Sequence, residues 1–222
     1  MKGNFEGYIF DLDDTLYCEH DYVKSGFLAV ANEITKSYKE IDENIIHKML
    51  IEEWKKNGRG KIFNEVCGRL KIDLDIFKLV STYRSHRPQI SLYEDARQLL
   101  EALRGKNVKL GMITDGDSKM QWNKIKSLGL ERLFDCIVVT GDLGTSHWKP
   151  SDTPYRKVTQ CLNLSHGQCV YIGDNPNKDF ITARKLGMGT IRIVRSVGDH
   201  MKTKLSNEYE ADREINSLKQ LL

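Results

Sequence analysis

Tyr8-Ile9-Phe10-Asp11-Leu12-Asp13-Asp14-Thr15-Leu16, an apolar run that ends on acids, decides the fold. Tyr8, Ile9 and Phe10 predict a core strand. Asp11 and Asp13 stand two residues apart, so they face one side for as long as strand geometry persists. Near the carboxyl edge of a sheet both reach a ligand. Two buried acids are costly to hold together without a cation or a shared proton. Taken alone, the run also fits an Asx-turn cluster that opens a loop.

Three more segments follow in order. Lys109-Leu-Gly-Met-Ile-Thr-Asp-Gly116 is a second apolar strand running into a small polar turn. Thr114 sits at its tip, and Gly116 permits close backbone approach. Such a turn, Thr114 with Asp115, can donate hydroxyl and N–H bonds to a phosphate. His147-Trp-Lys-Pro150 places Lys149 before a helix start, and Val170-Tyr-Ile-Gly-Asp-Asn-Pro-Asn-Lys-Asp179 is a third apolar strand ending in Gly173-Asp174, with Asp179 five residues on. Singly, Thr114 fits a turn former, Lys149 a solvated charge and Asp174 an N-cap. As an ordered set of four, the segments point to one site.

From Tyr8 to about Val194 the sequence resembles the haloacid dehalogenase superfamily, whose members carry DxDx(T/V), a strand-end Thr or Ser, a Lys and a final acidic motif, here GDxxxxD. The resemblance implies that Asp11 is a nucleophile and Asp13 a general acid/base. Thr114, Asp115 and Lys149 would bind the transferring phosphoryl group. Asp11, Asp174 and the main-chain carbonyl of Asp13 would hold Mg²⁺, Asp179 would orient the metal's surroundings or the lysine, and Thr15 would steady the acid loop. Trp148 and Ser151-Asp-Thr-Pro-Tyr155 depart from the commoner KPDPxxF-like pattern and mark a subfamily without naming it.

The chemistry needs these residue types. A carboxylate attacks a dianionic phosphate only where a divalent cation and an ammonium offset the charge. An all-oxygen ligand set suits Mg²⁺. Lys149 supplies compact positive charge. Asp13 must give a proton to the leaving oxygen and later take one from water, so its side chain has to stay off the metal.

The remaining sequence limits the alternatives. The 222 residues suffice for one domain with an insert. A net charge of +3, from 34 basic and 31 acidic residues, offers no basic block suited to nucleic acid. Five cysteines show neither a CxxC pair nor metal spacing, and Cys136, Cys161 and Cys169, set among apolar residues, read as reduced core thiols. Met1 to Glu6 contains no signal-like apolar segment and no run is long enough to span a membrane, so a cytoplasmic protein, monomer or homodimer, is expected.

Strands are expected at Gly7–Leu12, Val108–Thr114, Cys136–Val139, Cys169–Gly173 and Gly189–Val194, alternating with helices near Tyr93–Leu103, Lys119–Leu128, Tyr155–Leu162 and Asp179–Leu186. This order predicts an α/β, Rossmann-like, doubly wound parallel sheet over residues 1–18 and 90–222. A polar tail would close with a short helix at Ile215–Leu222. Residues 19–89 are too many for a loop, and their helical periodicity predicts a small α-helical bundle. Its place after the first motif is similar to that of the family's cap, which implies a small phosphorylated metabolite as substrate. Asn57-Gly-Arg-Gly-Lys61 breaks the helical pattern, and Arg59 and Lys61 are candidates for contacting the substrate away from its phosphate.

The resemblance thus implies a Mg²⁺-dependent phosphatase that works through an aspartyl phosphate. Dehalogenases fit less well because they lack an acid at the place of Asp13. A sugar phosphomutase shares the machinery and stays open, and a non-enzymatic sensor would ordinarily tolerate loss of Asp11 or Lys149.

Overall fold

A computed structural model describes residues 5–222, which divide into two compact units. One contains the chain up to Glu19 together with Ile90–Leu222, and the other is His20–Gln89.

The first unit is built on a six-stranded, all-parallel sheet. Its strands are β1 (Gly7–Phe10), β2 (Lys109–Thr114), β3 (Cys136–Val139), β4 (Cys169–Gly173), β5 (Gly189–Ile193) and β6 (Arg213–Ile215), in the order β3-β2-β1-β4-β5-β6. Central strands buried on both faces read as continuous apolar runs, which is why β2 and β4 were legible. Phe10 pairs with Met112 on one side and Ile172 on the other, so β1, β2 and β4 end side by side. The strand order reverses at this point, where open α/β sheets bind ligands. Ile9, Ile113, Val138 and Tyr171 form a core with Tyr155, Val158, Phe180 and Ala183 from two of the unit's helices, Thr153–Leu162 and Phe180–Lys185.

The second unit is helical. Together with the end of the preceding segment it carries α1 (Glu19–Ser37), α2 (Glu43–Asn57), α3 (Ile62–Leu70) and α4 (Ile76–Ser85). Asp42 and Asp75 cap the starts of α2 and α4 by accepting main-chain N–H bonds. Gly58, at φ 70°, ends α2 in a conformation that glycine adopts cheaply. Val23, Phe27, Val30, Ile34, Ile46, Leu50 and Val66 form the core of this unit. The remaining helices, all in the first unit, are α5 (Glu94–Arg104), α6 (Ser118–Ser127), α7 (Thr153–Leu162) and α8 (Phe180–Lys185).

Two expectations need correction. The tail does not close in one helix at Ile215–Leu222: Arg213–Ile215 adds β6 at the sheet edge, and only Leu218–Leu221 forms a 3₁₀ turn. Three residues, two of them exposed, are too few to show an alternation. Cys161 is exposed, because the helical period of α7 turns Tyr155, Val158 and Leu162 inward and Cys161 outward, whereas Cys136 and Cys169 are buried as expected. Among the described residues no helix is long and apolar enough to cross a membrane.

Candidate active site

Asp11 follows β1 directly, its N–H bonded to the Ile172 carbonyl of β4 at 2.8 Å. Asp174 follows β4, and Asp179 precedes α8. One carboxylate oxygen from each of these three buried acids lies within 4.8 Å of the other two. The approach needs Gly173, since a Cβ there would stand 2.5 Å from Asp179 Oδ2. Lys149 is buried beside the cluster. Its Nζ lies 2.5 Å from Asp11 Oδ1, 2.9 Å from Asp179 Oδ1 and 2.9 Å from the Tyr171 hydroxyl. Asp179 is held further: its Oδ1 accepts from the Tyr171 hydroxyl at 3.2 Å, its Oδ2 from the Asn175 N–H at 3.0 Å, and its carbonyl from the Tyr155 hydroxyl at 2.9 Å.

Three acids so close are stable only if something offsets their charge. Burial pushes the Asp11 carboxyl up to about 6, and repulsion from Asp179 and Asp13 adds to this against the pull of Lys149 and Lys178. Asp174 is raised well above the carboxylate range, first by burial and then by Asp179 and Asp11. Among the described residues no hydrogen bond or ion pair reaches the Asp174 carboxylate, although Arg192 Nε holds its carbonyl at 3.2 Å. An unpartnered buried carboxylate beside two others, all hard oxygen donors, fits a divalent cation such as Mg²⁺. Asp14, in a left-handed conformation at φ 53°, is also pushed up to about 6, chiefly by burial.

A pH dependence follows from these shifts. Between the ordinary value of 3.8 and about 6, the folded chain keeps protons on Asp11 and Asp14 that the unfolded chain has released. Without metal, stability therefore falls as pH rises through that window. The expected result in EDTA is a higher Tm at pH 5 than at pH 7, with Mg²⁺ closing the gap at pH 7. A metal-free Tm that climbs with pH across the same window would contradict this.

Asp13 is placed differently from Asp11. Its carboxylate lies outside the acidic cluster, where Oδ1 accepts from Lys124 Nζ at 2.7 Å and from the Tyr17 hydroxyl, and Oδ2 accepts from Gln121 Nε2 at 2.9 Å. Burial opposes ionisation there, but the Lys124 charge and the three donors outweigh it and hold the carboxyl below its usual range. Thr114 is buried at the end of β2, and its Oγ1 accepts from the same Gln121 Nε2 at 2.5 Å. The Asp115 carboxylate accepts from Lys149 N, Thr140 Oγ1 and Lys178 Nζ at 3.0–3.1 Å. As an acceptor it leaves only its main-chain N–H for an anion. Thr15 Oγ1 is buried without a hydrogen-bond partner among the described residues. The Thr15 carbonyl accepts from Arg195 Nη2 at 2.7 Å, and Arg195 is itself paired with Asp95.

The structure thus brings Asp11, Thr114, Asp115, Lys149, Asp174 and Asp179 together at the ends of β1, β2 and β4, with Asp13 alongside. Arg59 belongs to the helical unit, where it lines a cavity of about 290 Å³ with Phe27, Trp54, Phe63 and Arg84, and Lys61 is exposed nearby in sequence. Sequence reading missed Gln121, Lys124, Lys178, Tyr171 and Arg192. The available signal was the i, i+3 spacing of Gln121 and Lys124 beside Ile125, a helix face whose polarity disguised its burial.

The model of the haloacid dehalogenase-like hydrolases matches residues 8–193. A glyceraldehyde 3-phosphate phosphatase of Methanocaldococcus jannaschii is 30% identical, over 98% of this chain and 95% of its own. An N-acylneuraminate-9-phosphatase of Rattus norvegicus is 29% identical over 85% of this chain and 82% of its own. The solved structure of a HAD phosphatase from Thermococcus onnurineus shares the fold with a TM-score of 0.63 at 24% identity, covering 97% of this chain and 95% of that one. A sheet that gathers these acids at its switch point, a family match across most of the sequence and a near full-length relative agree: the chain belongs to the haloacid dehalogenase-like hydrolases.

Proposed function

We propose that the protein is a Mg²⁺-dependent phosphatase that hydrolyses a small phosphate monoester through an aspartyl phosphate on Asp11. The observation that carries this reading is the buried grouping of Asp11, Asp174 and Asp179 beside the Lys149 ammonium. Asp11, Asp174 and the Asp13 main-chain carbonyl would hold Mg²⁺, which when bound offsets phosphate charge as a Lewis acid. Asp179, engaged by Lys149, Tyr171 and Asn175, orients rather than ligates.

The Asp11 carboxylate attacks phosphorus as the bond from phosphorus to the ester oxygen breaks, and Asp13 gives its proton to that departing oxygen. The negative charge of a bound phosphate raises the Asp13 carboxyl from its low resting value toward the protonated form this step needs. Asp13 then takes a proton from water, the water oxygen bonds to phosphorus, and the bond to Asp11 breaks to release inorganic phosphate. Thr114, the Asp115 N–H and Lys149 bind the phosphoryl oxygens throughout.

Similarity to the Methanocaldococcus jannaschii phosphatase supports glyceraldehyde 3-phosphate as substrate. Arg59 and Lys61 would contact the part of the substrate beyond the phosphate. Arg59→Ala would then lower kcat/KM on the true substrate by about tenfold or more and spare p-nitrophenyl phosphate. Equal losses on both would remove Arg59 from recognition. The activity itself is tested by phosphate release from glyceraldehyde 3-phosphate and a panel of other monoesters. Turnover is expected with Mg²⁺ and abolition with excess EDTA, while full activity in EDTA would overturn the metal reading.

A further inference from the structure

Helix α6 buries an unusual face. Gln121, Lys124 and Ile125, at i, i+3 and i+4, are its buried residues, and two of the three are polar. Burying an ammonium is costly unless a partner offsets it. The partner here is Asp13, whose side chain keeps only 21% of its exposure. A helix that only had to cover the sheet would place apolar groups at these positions. Each Asp13 oxygen is met by a different α6 side chain: Lys124 reaches Oδ1 and Gln121 reaches Oδ2. The Gln121 amide nitrogen carries two protons, and its second partner is Thr114 Oγ1. A hydroxyl that accepts one bond keeps its own proton to donate.

We propose that Gln121 and Lys124 are positioning residues for phosphoryl transfer. Lys124 and Gln121 grip both oxygens of Asp13 and keep its carboxylate out of the Asp11–Asp174–Asp179 cluster, where it would add a fourth negative charge. Gln121 also fixes the Thr114 hydroxyl as a donor to the phosphoryl group. One short face of α6 thereby sets the acid/base and the phosphate-binding hydroxyl in register with each other. This inference rests on Asp13 acting as the general acid/base.

The test compares phenyl phosphate with p-nitrophenyl phosphate in Mg²⁺ buffer. The two rings are alike in size, but p-nitrophenolate departs without a proton and phenolate is helped by one. kcat/KM reports steps only up to the first phosphoryl transfer, so it isolates leaving-group departure. Lys124→Met is expected to lower kcat/KM about 10²-fold on phenyl phosphate and less than tenfold on p-nitrophenyl phosphate. Lys124→Arg should restore part of the loss. In an Asp13→Asn background, Lys124→Met should cost nothing further, because it acts through the missing acid. Gln121→Met removes no charge and carries the same comparison should Lys124→Met not fold. It is expected to add a smaller loss shared by both substrates through Thr114. If Asp13→Asn discriminates between the two leaving groups but the α6 variants lower both equally, or add fully to Asp13→Asn, the inference is overturned. If Asp13→Asn itself does not discriminate, the acid/base reading fails and takes this inference with it.

Discussion

Asp11→Asn is expected to lower phosphate release by about 10⁴-fold or more, because an amide cannot accept the phosphoryl group in a stable covalent step. The substitution keeps size and shape and removes one of three crowded acids, while Lys149 retains Asp179 at 2.9 Å. The metal-free Tm should therefore be little changed. Stability and activity separate in this variant, which distinguishes a lost nucleophile from a damaged fold. A preparation free of contaminating phosphatase that kept more than about 1% of kcat would rule out Asp11 as the nucleophile.

Lys149→Met should affect both properties. The ammonium is fully buried and bonded to Asp11, Asp179 and the Tyr171 hydroxyl, so its loss leaves two buried carboxylates without their counter-charge. Removing one partner of a buried pair costs about 3–5 kcal/mol. At about 2–4 °C per kcal/mol for a chain of this size, that is roughly 6–20 °C in Tm. Acidification should recover part of the loss by protonating the stranded acids. kcat/KM should fall by about 10³-fold, the effect of removing a preorganised donor from a developing oxyanion. Calorimetry at pH 7 and pH 5 with parallel kinetics checks both, and an unchanged Tm at pH 7 would show that Lys149 does not neutralise the cluster.

The sequence made the strands and the acids at their ends legible for one physical reason. β1, β2 and β4 are buried on both faces, so each is an apolar run that stops abruptly on Asp11, on Thr114 or on Asp174. The helical segment showed itself in the same way through the period of Val23, Phe27, Val30 and Ile34. What stayed hidden is polarity in unexpected places. Gln121 and Lys124 carry the signature of a solvated helix face, and only the position of Asp13 shows why they are inside. Arg192 lies in β5 with its guanidinium buried, shared between the Asp174 carbonyl, Glu210 and the His200 carbonyl. His200 and Glu210 come from a tail that reads as plain polar chain. Pairings across more than a hundred residues, such as Lys124 with Asp13, leave no local pattern.

The central claim is that hydrolysis proceeds in two displacements, first onto Asp11 and then onto water. The stereochemical course at phosphorus tests it most directly, using a thiophosphate monoester made chiral with oxygen isotopes and hydrolysed in water of the third isotope. Two in-line displacements predict inorganic thiophosphate with retained configuration. Inverted configuration would mean that water attacks the substrate in a single step, and the aspartyl phosphate would have to be abandoned.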